Sequence, residues 1–393
     1  MASTSGLQRR RGTGHAPPSH DAVDDEMVGS VRSSSSRRSS AAIERSSGTG
    51  SLNRIDPGSG HQVAYDPRDL VDAGEEKMCP RLTLMEEVLL LGLKDAQGYL
   101  SFWNDKLSYT LRGCILMELA LRGRIGIAKG ADVRREDVSE RHIQLHNAKL
   151  TGEPLLDETL RHIQHSPPSS IAEWIDLLSG DTWNVMRLNM QLKQVRERLA
   201  KGLVEKGVLR TEKRNFLLFD MPTHPVVDMS AKDAVRRRVY ALTLSQSVHG
   251  PSLYKDEKQD RDVALPVTRA LCMLCSAFSA DVLENVLRHL STQVREQAEQ
   301  HVEQLLEAFG QWPMAPHTPG GGVPPRGSMD TSQARARKAP SLSLTKQRKP
   351  TMGVSTTDLV HAMRAEYEQG GMESAFEVIA GVLQVLAQME SLV

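Results

Sequence analysis

A charge of either sign in excess is the first thing this 393-residue sequence lacks. Lys+Arg and Asp+Glu both number 49, so any preference for an ionic partner must come from where the charges lie rather than from their sum. Cysteine is sparse as well. Cys79, Cys114, Cys272 and Cys275 are too few and too irregularly placed for a secreted disulfide scaffold, which points to a reducing compartment. The start of the chain, Gln8-Arg9-Arg10-Arg11 followed by Ser-rich sequence, has no apolar run to serve as a signal-peptide core, so a protein that is not exported is expected. Long hydrophobic runs are missing too. Val88 to Leu93 and Phe376 to Ala387 fall well short of the roughly 20 residues of a membrane-spanning helix, so any membrane contact is expected to be peripheral.

Catalytic signatures are equally scarce. Cys272-x-x-Cys275 lies in the apolar run Ala270 to Phe278, with no second such pair and no histidine pair at ligand spacing nearby, and reads as buried helical thiols. His142 and His146 have zinc-like spacing but no HExxH motif, and read as a surface pair. Gly320 to Gly322 are not followed by Lys-Ser or Lys-Thr, as a phosphate loop requires, and no GxSxG elbow occurs. No enzyme, cofactor or metal is expected.

What is present divides the chain. Residues 1–80 are rich in Ser, Gly, Arg and Asp, with the run Ser33 to Ser40, and cannot bury enough apolar area to offset ordering entropy; a disordered arm is expected. A second break at 313–353 contains Pro319-Gly320-Gly321-Gly322 and Pro324-Pro325. Its seven basic residues (Arg326, Arg335, Arg337, Lys338, Lys346, Arg348, Lys349) face only Asp330, a net of +6, which reads as a disordered basic loop. The rest of 81–393 carries helical periodicity and is expected to form one large, mainly α domain interrupted by that loop.

Within it, Thr83 with Glu86 and Ser170 with Glu173 read as capping boxes that start helices. Leu188, Leu192, Val195, Leu199 and Leu203 keep the spacing of one buried helix face, and Ala375 to Leu386 is apolar nearly all round, as a central helix would be. Val208-Leu209-Arg210 and Phe216-Leu217-Leu218-Phe219 flank the polar stretch Thr211 to Asn215 and predict a β-hairpin, which either packs on its own core or projects with an apolar arm that needs a partner or a bilayer. Between Asn189 and Arg214, eight basic residues (Lys193, Arg196, Arg198, Lys201, Lys206, Arg210, Lys213, Arg214) stand against Glu197, Glu205 and Glu212. That +5 surface next to protruding apolar side chains is how peripheral proteins combine charge with burial.

These segments resemble the Golgi phosphoprotein 3 family, in particular its fungal members, over roughly residues 80–312 and 355–393. The resemblance rests on Leu82-Thr83-Leu84-Met85-Glu86-Glu87-Val88-Leu89-Leu90, Ser101-Phe102-Trp103-Asn104-Asp105, Leu111-Arg112-Gly113-Cys114, Trp174-Ile175-Asp176-Leu177-Leu178-Ser179-Gly180, Val195-Arg196-Glu197-Arg198-Leu199-Ala200-Lys201 and Asn215-Phe216-Leu217-Leu218-Phe219-Asp220-Met221. It implies a helical adaptor on the cytosolic face of Golgi membranes that binds phosphatidylinositol 4-phosphate and links the cytosolic tails of glycosyltransferases to the coatomer coat, for Golgi retention and retrograde transport. The phosphoinositide pocket would be Trp103, Arg112, Lys193 and Arg196, and replacing Arg112 or Arg196 is expected to leave the fold intact. The hairpin, with Val208, Leu209, Phe216, Leu217, Leu218 and Phe219, would self-associate into a homo-oligomer and insert shallowly into the bilayer, and Arg9, Arg10 and Arg11 would engage coatomer. The 313–353 loop is longer and more basic than the family pattern. A helical interaction scaffold without lipid specificity is the competing reading. Nucleic acid is not expected, because the basic segments lack interleaved aromatic residues and any reading motif.

Overall fold

The computed structural model describes residues 78–100, 105–128, 130, 136–216, 219–255, 263–314, 352–370 and 372–391. The Ser/Arg-rich arm up to residue 77, including Arg9 to Arg11, lies outside them, as do residues 315–351 of the basic loop. The predicted loop bounds of 313–353 are too generous, however. Met314 is buried and Met352 packs against the core, so both ends of that range belong to the packed domain.

Helix α1 (Leu84–Gly92) begins where the sequence places it. Thr83 is extended and accepts from the Glu86 amide, while the Glu86 carboxylate accepts from the Thr83 amide at 2.8 Å, completing the capping box. Every residue of α1 is buried, including Glu86 and Glu87. Helix α2 (Asp105–Leu121) leads to strand β1 (Ile125–Ile127), which pairs antiparallel with β2 (Ile143–Leu145), Gly126 opposite Gln144. Helices α3 (Pro154–Gln164) and α4 (Ile171–Ser179) follow, then a 3₁₀ helix (Val185–Met190) and α5 (Val195–Glu205). The hairpin strands are β3 (Glu212–Phe216) and β4 (Phe219–Thr223). Helices α6 (Met229–Thr243), α7 (Gly250–Leu253), α8 (Pro266–Ser279), α9 (Leu283–Leu287), α10 (Thr292–Phe309), α11 (Thr356–Gly370) and α12 (Glu373–Ser391) complete the domain. The mainly α class holds.

The centre of the core is α12. It packs against α2, α10, β1, α8 and α4, burying Phe376, Val378, Ile379, Val382, Leu383 and Leu386, so the apolar run near residue 380 is the central helix its composition predicts. Beside it, the buried Glu118 of α2 accepts from Arg122 Nε at 2.8 Å and Arg269 Nη1 of α8 at 3.0 Å, and from the Leu84 amide at 3.1 Å. Burial by itself would raise the Glu118 carboxyl; Arg269 and Arg122 outweigh it and hold the pKa at about 2. Cys272 and Cys275 lie buried in α8, as expected. Burial pushes both thiols up, Cys275 to about 12.

Three local expectations need correction. Ser170 does cap α4, but the reciprocal arm of that box is absent because the Glu173 carboxylate pairs with Arg187 instead. Leu188 does not share a helix face with Val195, Leu199 and Leu203: it is 39% exposed on the 3₁₀ helix, and Gln194, at φ 53°, breaks the path before α5. The Leu192 carbonyl, which a continuous helix would bond to an amide four residues on, accepts from Arg112. The hairpin is also shifted along the sequence. Val208 and Leu209 are buried, with Leu209 bridging to Val226 and Val208 accepting from the Val227 amide, so they root the hairpin in the core rather than forming an arm. The register sets Phe216 opposite Phe219, with Leu217 and Leu218 between them outside the described residues.

Candidate functional site

Two stretches far apart in sequence line one cleft of about 410 Å³. The first turns of α2 contribute Leu107, Ser108, Leu111 and Arg112, and residues Gln191 to Glu197 form the opposite side. Arg112, Lys193 and Arg196 are thereby brought together as expected. Trp103 lies outside the described residues.

Arg112 is buried, and its guanidinium is a hub. Nη1 donates to the carbonyl and hydroxyl oxygens of Ser108, both at 2.7 Å, Nε to the Leu178 carbonyl at 3.3 Å, and Nη2 to the Leu192 carbonyl at 3.1 Å. All four acceptors are neutral. Among the described residues no carboxylate pairs with Arg112; burial lowers its pKa from the ordinary guanidinium value, and the field of Asp181 opposes that shift. A buried cation satisfied in hydrogen bonds but not in charge favours an anion nearby. The same bonds clamp α2 to the end of α4 and to the approach to α5, so Arg112 is a structural residue as well, and the expectation that it could be replaced without cost to the fold does not stand.

The other two cations sit on the surface. Lys193 is exposed. Arg196 is partly exposed and reaches Glu197 Oε1 through Nε at 3.1 Å and Nη2 at 2.6 Å. Burial would raise the Glu197 carboxyl, but the Arg196 hydrogen bond contributes to a net lowering. Unlike α1 and α4, helix α5 starts without a side-chain cap: Gln194 is left-handed and makes no capping bond, and the first intrahelical bond runs from the Arg198 amide to the Gln194 carbonyl at 3.0 Å. The positive end of the helix dipole therefore borders the cleft, which suits an anion.

The wider basic cluster dissolves into ion pairs. Lys206 bridges Glu86 at 2.7 Å and Glu153 at 2.8 Å, Arg198 meets Glu158 at 2.6 Å, Arg210 meets Glu212 at 2.5 Å, and Lys201 lies 3.9 Å from Glu205. The +5 counted along the sequence thus falls to +2, because three further acids, Glu86 of α1, Glu158 of α3 and Glu153 of the loop before α3, neutralise it. Arg214 instead ties β3 to the Ala96 carbonyl at 2.7 Å. His224, just beyond β4, has its pKa lowered by burial and then by Arg196, with Glu197 opposing, so the hairpin base lies beside the cleft. His142 and His146 are exposed at the ends of β2. Ser108 and Gln191 were not legible as site residues; neither carries a motif, and only the long-range packing of Arg112 and the loop closure at Gly180 place them.

A mainly helical domain with a cation-lined cleft is the class these features define, and residues 84–318 match the profile of Golgi phosphoprotein 3 (GPP34). The chain belongs to the Golgi phosphoprotein 3 family. It is 51% identical over 260 residues to vacuolar protein sorting-associated protein 74 of Schizosaccharomyces pombe, covering 65% of this chain and 75% of that one. To the protein of the same name from Eremothecium gossypii it is 52% identical over 270 residues, covering 68% and 80%. Membership supports a Golgi-associated adaptor role in protein sorting. Among the described residues, no helix is long and apolar enough to cross a membrane.

Proposed function

We propose that this protein is a peripheral Golgi membrane adaptor that binds phosphatidylinositol 4-phosphate and links the cytosolic tails of glycosyltransferases to coatomer for retention and retrograde transport. The observation that supports the lipid reading is the convergence of Arg112, Lys193 and Arg196 on one cleft that also receives the uncapped end of α5. An inositol phosphate headgroup carries several negative charges. Arg196 can swing from Glu197 to chelate a phosphate through parallel hydrogen bonds, and Lys193 adds a point charge. Arg112 contributes mainly charge, since four of its five N–H donors are already engaged. Trp103, an apolar body with a polar N–H, suits the membrane interface. The hairpin would serve self-association and shallow insertion, and Arg9 to Arg11 would meet coatomer.

Flotation with neutral vesicles, with vesicles containing phosphatidylinositol 4-phosphate, and with vesicles matched in charge by phosphatidylserine tests the lipid reading. The chain should float best with the phosphoinositide. Lys193→Ala with Arg196→Ala should weaken that binding by roughly a hundredfold, two charge-assisted contacts' worth. Equal flotation of the intact chain with both anionic vesicles would leave a scaffold without lipid specificity.

A further inference from the structure

The connection between α4 and α5 carries apolar side chains that the domain does not bury. Trp183 is fully exposed, Val185 is 75% exposed, Met186 87% and Leu188 39%. No residue of the 3₁₀ helix Val185–Met190 is buried. A cluster of this kind on a soluble domain marks a surface that meets something else.

The connection is nonetheless built with care. Gly180 ends α4 at φ 87°, and the Gln191 side chain fills the space beside it so closely that a Cβ there would lie 2.4 Å from Nε2. Gln191 Nε2 donates to the Ser179 carbonyl at 3.1 Å, and the Leu192 amide to the Leu178 carbonyl at 3.0 Å, so the ends of the loop are tied together. Asn184 caps the 3₁₀ helix by accepting from the Met186 amide at 3.1 Å, and Arg187 pairs with Glu173 while donating to Ser169 Oγ at 2.9 Å. This is a closed Ω-type loop whose polar groups hold it to the body and whose apolar groups face outward. Its closure point is the cleft itself: Arg112 grips the carbonyls of Leu178 and Leu192, one on each side of the loop, and Gln191 and Leu192 line the cleft.

We propose that the Ser179 to Gln191 loop is a bilayer anchor, with Trp183, Val185, Met186 and Leu188 entering the headgroup and acyl boundary of an anionic membrane. The proposal rests on reading the adjoining cleft as a headgroup site. A bilayer is favoured over a protein partner by that continuity, since a surface that holds a lipid headgroup is already at the membrane. The flanking Lys193 and Arg196 add the charge that draws an apolar wedge to anionic lipid. Tryptophan is the side chain best suited to the interface. At about 2 Å rise per residue, the 3₁₀ helix is on the order of 12 Å long, comparable with the roughly 5–10 Å depth that interfacial segments reach.

The test uses the full chain, vesicles containing phosphatidylinositol 4-phosphate and phosphatidylserine, and soluble glycerophosphoinositol 4-phosphate. Trp183→Ala should lower vesicle affinity about tenfold, equivalent to ~1.4 kcal/mol, with unchanged melting temperature and unchanged calorimetric binding of the soluble headgroup. The difference in emission between the intact chain and Trp183→Phe should shift to the blue on vesicles and be quenched by bromine-labelled acyl chains. Undiminished vesicle affinity of Trp183→Ala, or an unquenched Trp183, overturns the proposal. So does a change in self-association in place of vesicle affinity, which would make the loop a protein interface. Absence of headgroup binding by the intact chain would sink the cleft reading alone, because quenching of Trp183 on anionic vesicles still decides the loop.

Discussion

Arg112 and Arg196 line the same cleft, and replacing them should have different consequences for the protein. Arg112→Ala removes four hydrogen bonds, strands the Leu192 carbonyl, leaves the Leu178 carbonyl with the Leu192 amide alone, and opens a guanidinium-sized void beside them. Loss of a charge-assisted hydrogen bond costs about 1.5–3 kcal/mol, but removing an unpaired buried charge returns part of that, so a net destabilisation of about 3 kcal/mol is expected. For a domain of this size that corresponds to a fall in Tm of about 5 °C. Arg112→Lys should recover little, because one ammonium cannot reach Ser108, Leu178 and Leu192 together. Arg196→Ala breaks an exposed contact with the adjacent Glu197, and its stability should stay within about 0.5 kcal/mol of the parent. Urea titration and thermal unfolding of the three variants give the comparison, with vesicle binding measured below the lowest Tm. If Arg112→Ala unfolds at the parent's midpoint with the same slope, Arg112 does not clamp the cleft and the hub described above is wrong.

Two further outcomes follow from the core and from the hairpin base. Glu118 has a folded pKa of about 2 against an ordinary 4.5, so its contribution to stability is fully present above pH ~4.5 and is lost as pH falls toward 2. The shift corresponds to about 3 kcal/mol, and Glu118→Gln should lower stability at pH 7 while flattening the acid limb of a pH–stability curve; an acid limb as steep as the parent's would show that other carboxylates govern it. Gly98 sits at φ 68°, and an added Cβ would lie 2.2 Å from the Pro225 nitrogen and 2.3 Å from the His224 carbonyl carbon, both backbone atoms. Gly98→Ala should therefore destabilise by about 2 kcal/mol or more and speed amide exchange in β3 and β4, whereas parent-like exchange there would mean the contact relaxes cheaply.

Local chemistry is what a single sequence exposes. The Thr83 cap, the all-round apolar α12 and the buried Cys272–Cys275 pair depend on neighbours within a few positions, and all three were readable. The cleft residues were readable only through family motifs, since Arg112 bonds a carbonyl 80 positions away and nothing in the spacing marks that contact. Remote pairing also explains the overestimated basic surface: Lys206 is matched by Glu86, 120 positions off, and by Glu153. Leu188 misled because a spacing of three or four residues suits a 3₁₀ turn outside the core as well as an α-helix inside it. Val208 and Leu209 misled because an apolar pair before a polar stretch reads alike as a hairpin arm or as its root; the bond from the Val227 amide to the Val208 carbonyl distinguishes them.

Because α12 fills the middle of the domain and follows the 315–351 segment in the chain, the ribosome makes the centre after the helices that surround it. Until it emerges, α2, α4, α8 and α10 share an unfilled apolar groove, and at about 5–20 residues per second the span from Phe309 to Ser391 keeps that groove open for several seconds. Chaperones have that interval in which to bind. A premature stop anywhere in α11 or α12 would remove the keystone rather than trim an edge, leaving a chain that carries every cleft residue and has no interior to hold them in place.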